Sequence, residues 1–149
     1  MLKFATTSYN ANPNNPAVMS IYGDALLLSN KIPEGVKVWE KLYEIDPIPF
    51  ADSNSDRRTN NLFFAYFLNG QYDKCDEIFK TINEPTNRTW LLRTHSKFKN
   101  GDKLQDEVWY KKGLNEFKDL DWDNEVDRFH LNNEELQKEL TATAKAQFA

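Results

Sequence analysis

The chain has 149 residues, of which 40% are apolar and 13% aromatic, and a net charge of −4. This argues against intrinsic disorder, gives length for one domain with a modest core, and disfavours a general nucleic-acid binder, which needs a concentrated basic surface. No run approaches the roughly 20 apolar residues of a membrane span, Met1 to Ala5 lacks the apolar core of a signal peptide, and one cysteine, Cys75, leaves no internal disulfide and an open redox compartment.

Taken in order, the apolar residues fall into helical segments of about 12 to 16 residues between short turns. Val18, Ile21, Tyr22, Ala25 and Leu26 recur at helical spacing, as do Val36, Trp39, Leu42 and Tyr43. Leu62, Phe63, Tyr66 and Phe67 form a third set, and Cys75, Ile78, Phe79 and Ile82 a fourth. Alternation of strand type is nearly absent, so the predicted class is all-α. Asn15 is placed to cap a helix whose first residue, Pro16, has no N–H to leave unpaired. Asn30 ends that helix in the left-handed position, Pro33 opens the next, and Gly70 and Gly101 stop two later helices at equivalent places. Near the end, Asn132 and Glu135 have capping-box spacing, with Leu131 and Leu136 as a hydrophobic staple and Leu136, Leu140 and Ala144 as a narrow apolar stripe.

The segment Pro16 to Pro47 resembles the tetratricopeptide repeat. Met19, Tyr22, Gly23 and Leu26 stand at the first-helix positions, and Ile32, Gly35, Trp39 and Leu42 at the second-helix positions before Asp46-Pro47. Gly23 and Gly35 are the small residues that let two antiparallel helices approach. A second unit, from about Arg57 to Pro85, carries Tyr66, Gly70-Gln71-Tyr72-Asp73-Lys74-Cys75, Phe79 and Ile82, with Cys75 at the alanine position and therefore a packed small side chain. Phe63 departs from the expected glycine or alanine, which predicts local splaying. A third unit, about 87 to 119, fits in two registers. One aligns Trp90, Gly101, Asp106 and Tyr110 but gives Lys97 an apolar place; the other brings in Phe98 and turns His95 inward. Leu2 to Pro13 reads as a half repeat or cap (1–13), and 121–149 as C-terminal capping helices. The spacing is irregular: Tyr72 follows Ile32 by 40 residues and Gly101 follows Gly70 by 31, against about 34 for the family. The polar loop Ile48 to Asp56 absorbs the excess. The resemblance implies a single domain, 1–149: a right-handed superhelical stack of antiparallel helix pairs, about three repeats with caps.

Catalytic chemistry finds little to stand on. The two histidines, His95 and His130, lack a nucleophile in a recognisable setting, and the five glycines make no phosphate loop. Asp119, Asp121 and Asp123 alternate like half of a calcium loop. Asn124 replaces its glycine, however, and His130 its last glutamate, so these acids read as a solvated helix start. No cofactor and no metal is expected. Asn87-Arg88-Thr89 is formally a glycosylation sequon, and nine acids oppose three bases between Leu114 and Leu140.

The resemblance also implies a partner, a protein or peptide segment held in the concave groove of a scaffold or adaptor that is not an enzyme. Its inner surface would present Ser20, Asp24 and Leu27 from the first unit, Arg57, Asn60, Phe64 and Phe67 from the second, and Arg88 and His95 from the third. Phe64 and Phe67 would anchor an apolar side chain while Arg57 and Arg88 read an acidic group, or both rings would pack on the neighbouring repeat. The family's two-carboxylate clamp is not expected, because Asp24 and Phe64 occupy places for small neutral polar groups. The alternatives are a structural module of a larger assembly, secretion or polymer-export protein, and an inhibitory or immunity protein using the acidic face. A cytoplasmic setting is expected if the chain is complete.

Overall fold

The computed structural model describes residues 1–45 and 54–149. Among them every regular element is an α-helix: α1 (Leu2–Ala11), α2 (Pro16–Leu28), α3 (Ile32–Ile45), α4 (Asn54–Leu68), α5 (Tyr72–Phe79), α6 (Asn87–Lys99), α7 (Val108–Glu116), α8 (Trp122–Asp127) and α9 (Glu134–Phe148). Asp46-Pro47 and most of the expected polar loop lie outside the described residues, and α4 begins three residues before Arg57. By packing, the chain divides into two compact units, Met1–Glu84 and Pro85–Ala149.

In the first unit the main contacts join chain neighbours: α1 with α2, α2 with α3, α3 with α4, and α4 with α5. Asn15 caps α2 as its sequence context demands, its side-chain oxygen accepting from the amides of Ala17 at 3.0 Å and Val18 at 3.2 Å. The other end stops at Asn30, whose φ of 60° places it in the left-handed region. Two bonds lock this turn: Asn30 N–H donates to Leu27 C=O at 3.1 Å and Lys31 N–H to Leu26 C=O at 2.9 Å. This double bond pattern satisfies carbonyls that a helix end would otherwise leave unpaired, and it turns the chain back within three residues. Gly70 (φ 71°) repeats it after α4, with bonds to Phe67 and Tyr66.

Between α2 and α3 the backbones nearly touch. A β-carbon on Gly23 would stand 2.7 Å from Trp39 Nε1, and one on Gly35 would stand 2.7 Å from Leu27 Cδ2. Trp39 thus lies flat against the helix it faces, and it is buried. In the next hairpin Cys75 fills the small-residue place, its thiol donating to Phe63 C=O at 3.6 Å. Phe63 is buried too and meets Phe79 edge-on at 6.1 Å. Ile82, read as helical, is buried beyond the end of α5, where Ile82 N–H reaches back three residues to Phe79 C=O.

In the second unit α6 packs on α7 and also on α9, while α9 packs on α8. The last helix therefore returns to the first and closes the unit on itself. Trp90 is the centre of that closure. It is buried, its Nε1 donates to Tyr110 C=O at 3.3 Å, and its ring lies 5.7–6.1 Å from the rings of Tyr110, Phe117, Trp122 and Phe148. Gly113 sits under this ring with no room for a β-carbon. The arrangement reverses that of α2 and α3: there the glycine is on the first helix and the tryptophan on the second, here the tryptophan comes first.

Two helix starts differ in detail from the expected ones. Asn133, not Asn132, caps α9, accepting from Leu136 N–H at 3.0 Å, because the helix begins one residue later than the box spacing requires. Asp121 caps the short α8, its carboxylate also accepting from Asn124 Nδ2 at 2.6 Å. His130 follows with φ of 54°, a chain-reversal position after the helix end.

These contacts generate a graded prediction. Gly23→Ala and Gly113→Ala each force a buried tryptophan to move and should cost about 1–3 kcal/mol. At Gly70 there is open space but a positive φ, so Gly70→Ala should cost about 1 kcal/mol. Urea unfolding of the three variants checks the order. Equal losses at all three would mean that conformation, not ring contact, sets the cost.

Candidate functional site

The left-handed residues put the first helix of each hairpin into a common register. Gly101 (φ 80°) carries the same two bonds, to Phe98 and Lys97. Counting back six residues from Asn30, Gly70 and Gly101 reaches Asp24, Phe64 and His95, and thirteen residues reaches Ala17, Arg57 and Arg88. Four residues before Gly101 stands Lys97, half-buried. His95 is buried.

In the first unit the residues expected to face a groove divide sharply by exposure. Arg57 is exposed and Asp24 half-buried, whereas Leu27 is buried against Gly35. Asn60 is buried as well. Its amide donates to Asp56 C=O at 2.7 Å and to Glu84 C=O at 3.3 Å, joining the start of α4 to the segment after α5. Asp56 completes that link: its two carboxylate oxygens accept from the amides of Asn83 and Glu84, both at 3.1 Å. Phe64 and Phe67 are only 7% and 6% exposed, and Phe67 meets the ring of Tyr72 at 5.7 Å.

What α2 does present is a stripe that sequence reasoning did not single out. Ile21 is 56% exposed and Leu28 38% exposed. With Asp24 between them they are spaced i, i+3, i+7, one face of a helix. The signal was present in the sequence, but periodicity alone assigned Ile21 to the core face. On α1, Phe4 is 83% exposed.

Two polar clusters are titratable. Tyr66 of α4 is pushed up to about 12 by burial and by the neighbouring Glu40 of α3. Lys74 of α5 lies over its ring at 5.3 Å and pairs with Glu40 at 3.5 Å. This phenol stays protonated at neutral pH and serves as a joint between three helices. In the second unit, His95 Nδ1 is 2.9 Å from Thr143 Oγ1, and Nε2 is 3.3 Å from Glu139 Oε2 with the ring nitrogen poorly aimed. Burial, then Lys99, holds the imidazole below its ordinary range, with Glu139 opposing. Arg88, expected beside it, is half-buried on the same helix. Asn87 is engaged through Nδ2 with Glu125 Oε2 at 2.8 Å and Thr89 is buried, so the sequon is closed in the folded chain.

Asp123, at the end of the acidic alternation, pairs with Lys145 at 2.8 Å. Among the described residues no group of three His, Cys, Asp or Glu side chains is set to hold a metal ion, and no helix is long and apolar enough to cross a membrane. No family model and no curated protein matches this sequence.

Cys75 is buried and, as the one cysteine of the sequence, stands in no internal disulfide. Cys75→Ala should leave the fold nearly unchanged, whereas Cys75→Arg should cost about 3–5 kcal/mol through a buried, unpaired charge. Melting of both variants and the labelling rate of the native thiol check this; rapid labelling would contradict the packing described.

Proposed function

We propose that this chain is a protein-binding module built from tetratricopeptide-like helical hairpins, not an enzyme, and that a partner segment lies along α2. The observation that carries this reading is the exposed pair Ile21 and Leu28 on one face of α2, with half-buried Asp24 between them. Two apolar side chains exposed on one helix face offer a partner buried area. Arg57, exposed on α4, is available for an acidic group of a partner. Phe64 and Phe67 have too little exposed surface to anchor a ligand without rearrangement. In the first unit the packing of each helix on its chain neighbours, together with the repeated left-handed caps, supports the repeat reading, since stacked repeats of this kind bind partners through extended faces.

One observation favours a second reading, a structural module of a larger assembly. Phe4 on α1 is an aromatic ring with most of its area in solvent, as a stacking surface would provide.

The test starts from a partner captured with the whole chain and titrated as an isolated segment. Ile21→Ser and Leu28→Ser should each weaken binding about tenfold, roughly 1.4 kcal/mol, without lowering the melting temperature. Phe64→Ala should instead lower stability by about 3–5 kcal/mol. If the α2 variants bind like the parent chain while Phe4→Ser abolishes binding, the stacking reading replaces this one.

A further inference from the structure

The His95 cluster holds together two helices that are far apart in sequence, and its charge arrangement is unbalanced. A single oxygen of Glu139 on α9 lies 3.0 Å from Lys99 Nζ and 3.3 Å from His95 Nε2, both on α6. Lys99 is one turn beyond His95, so a permanent cation already occupies the one carboxylate that faces the ring. The other ring nitrogen faces the Thr143 hydroxyl, a neutral group. From α7, the titratable group on this side is Tyr110, whose hydroxyl donates to Gln147 of α9; burial raises this phenol above its ordinary range, so it stays neutral in acid. Gln147 in turn donates to Thr143 C=O at 3.1 Å. The charges acting on the ring are therefore Lys99 and Glu139.

We propose that α9 is an acid-released strap: neutral His95, held between Thr143 and Glu139, keeps the C-terminal helix on α6, and protonation of the ring frees that helix and uncovers Trp90 and Trp122. A buried imidazolium would share one carboxylate oxygen with Lys99 while losing its hydration. The consequence is steric as well as electrostatic, because Phe148 at the end of α9 stacks on Trp122 at 5.8 Å and lies 5.7 Å from Trp90. Lifting α9 exposes this aromatic surface.

The sign follows from linkage. A histidine held below its unfolded value contributes stability that is complete above about pH 6.5 and is lost as pH falls below it. Glu139 is itself held low by Lys99, so it remains ionised through this range.

Amide exchange on the full chain, corrected for intrinsic rates, reads the strap directly. Between pH 7.5 and 5.5 the protection of α9 should fall several-fold, with a ceiling of about tenfold set by one pH unit below the unfolded value, while α2 and α3 stay unchanged. Two surface variants make the test specific. Lys99→Met removes the competing cation and should shrink the acid effect. Glu139→Gln removes the carboxylate that faces the ring and should enlarge it. Titration of the His95 ring by NMR, with exposed His130 as the second histidine in the spectrum, gives an independent reading. An α9 protection that does not change with pH, a His95 that titrates at or above the unfolded value, or variants that shift the effect in the same direction would each overturn the proposal.

Discussion

A tryptophan laid flat against a glycine is the contact on which each half of this protein depends. Helix axes normally pack 8–10 Å apart, at a distance set by the side chains between them. A glycine removes the obstacle on one side, and the indole fills the resulting hollow with one large rigid surface. Trp39 does this against Gly23, and Trp90 against Gly113. Both rings are almost wholly buried, so their apolar area contributes strongly to the two cores. Between α2 and α3 the left-handed Asn30 turns the chain back within three residues and so brings the first of these contacts together.

The reversal of the pair accounts for the difference between the units. With the tryptophan on the second helix, as in α3, the first helix keeps an outer face, and Ile21, Asp24 and Leu28 stand on it. With the tryptophan on the first helix, as in α6, the ring needs further apolar cover. Phe117, Trp122 and Phe148 supply it, and they bring α8 and α9 round to close the unit. The Trp90 cluster thus draws the last helix back against the first. The same return brings Glu139 and Thr143 to His95, which a stack of chain neighbours would not do.

The candidate groove residues show how burial redistributes roles. Asn60 has a side chain suited to hydrogen-bonding a peptide, but its amide is used on two backbone carbonyls. Phe64 stands in the register position of Asp24, yet its ring is turned into the protein. A large apolar side chain placed beside a hairpin interface is drawn inward by the free energy of burial, and the apolar side chains left exposed on α2 are Ile21 and Leu28.

Much of the local structure was legible in the sequence. Helix class, the Asn15 cap before Pro16, the left-handed stops and the close approach at Gly23 and Gly35 follow from single residues whose backbone preferences or missing side chains leave few alternatives. Cys75 was legible for the same reason, as a small residue where only a small residue fits. The start of α9 was misplaced by one residue, since Asn132 and Asn133 are chemically equal caps and their side chains alone do not choose between them. The role of Gly113 was not visible, because it depends on a tryptophan 23 residues earlier in the chain. Nor was the stripe on α2 or the partnership of His95 with Glu139 and Thr143. Sequence spacing determines which residues share a helix face; which face is covered depends on contacts between distant segments, and only the tertiary structure decides that.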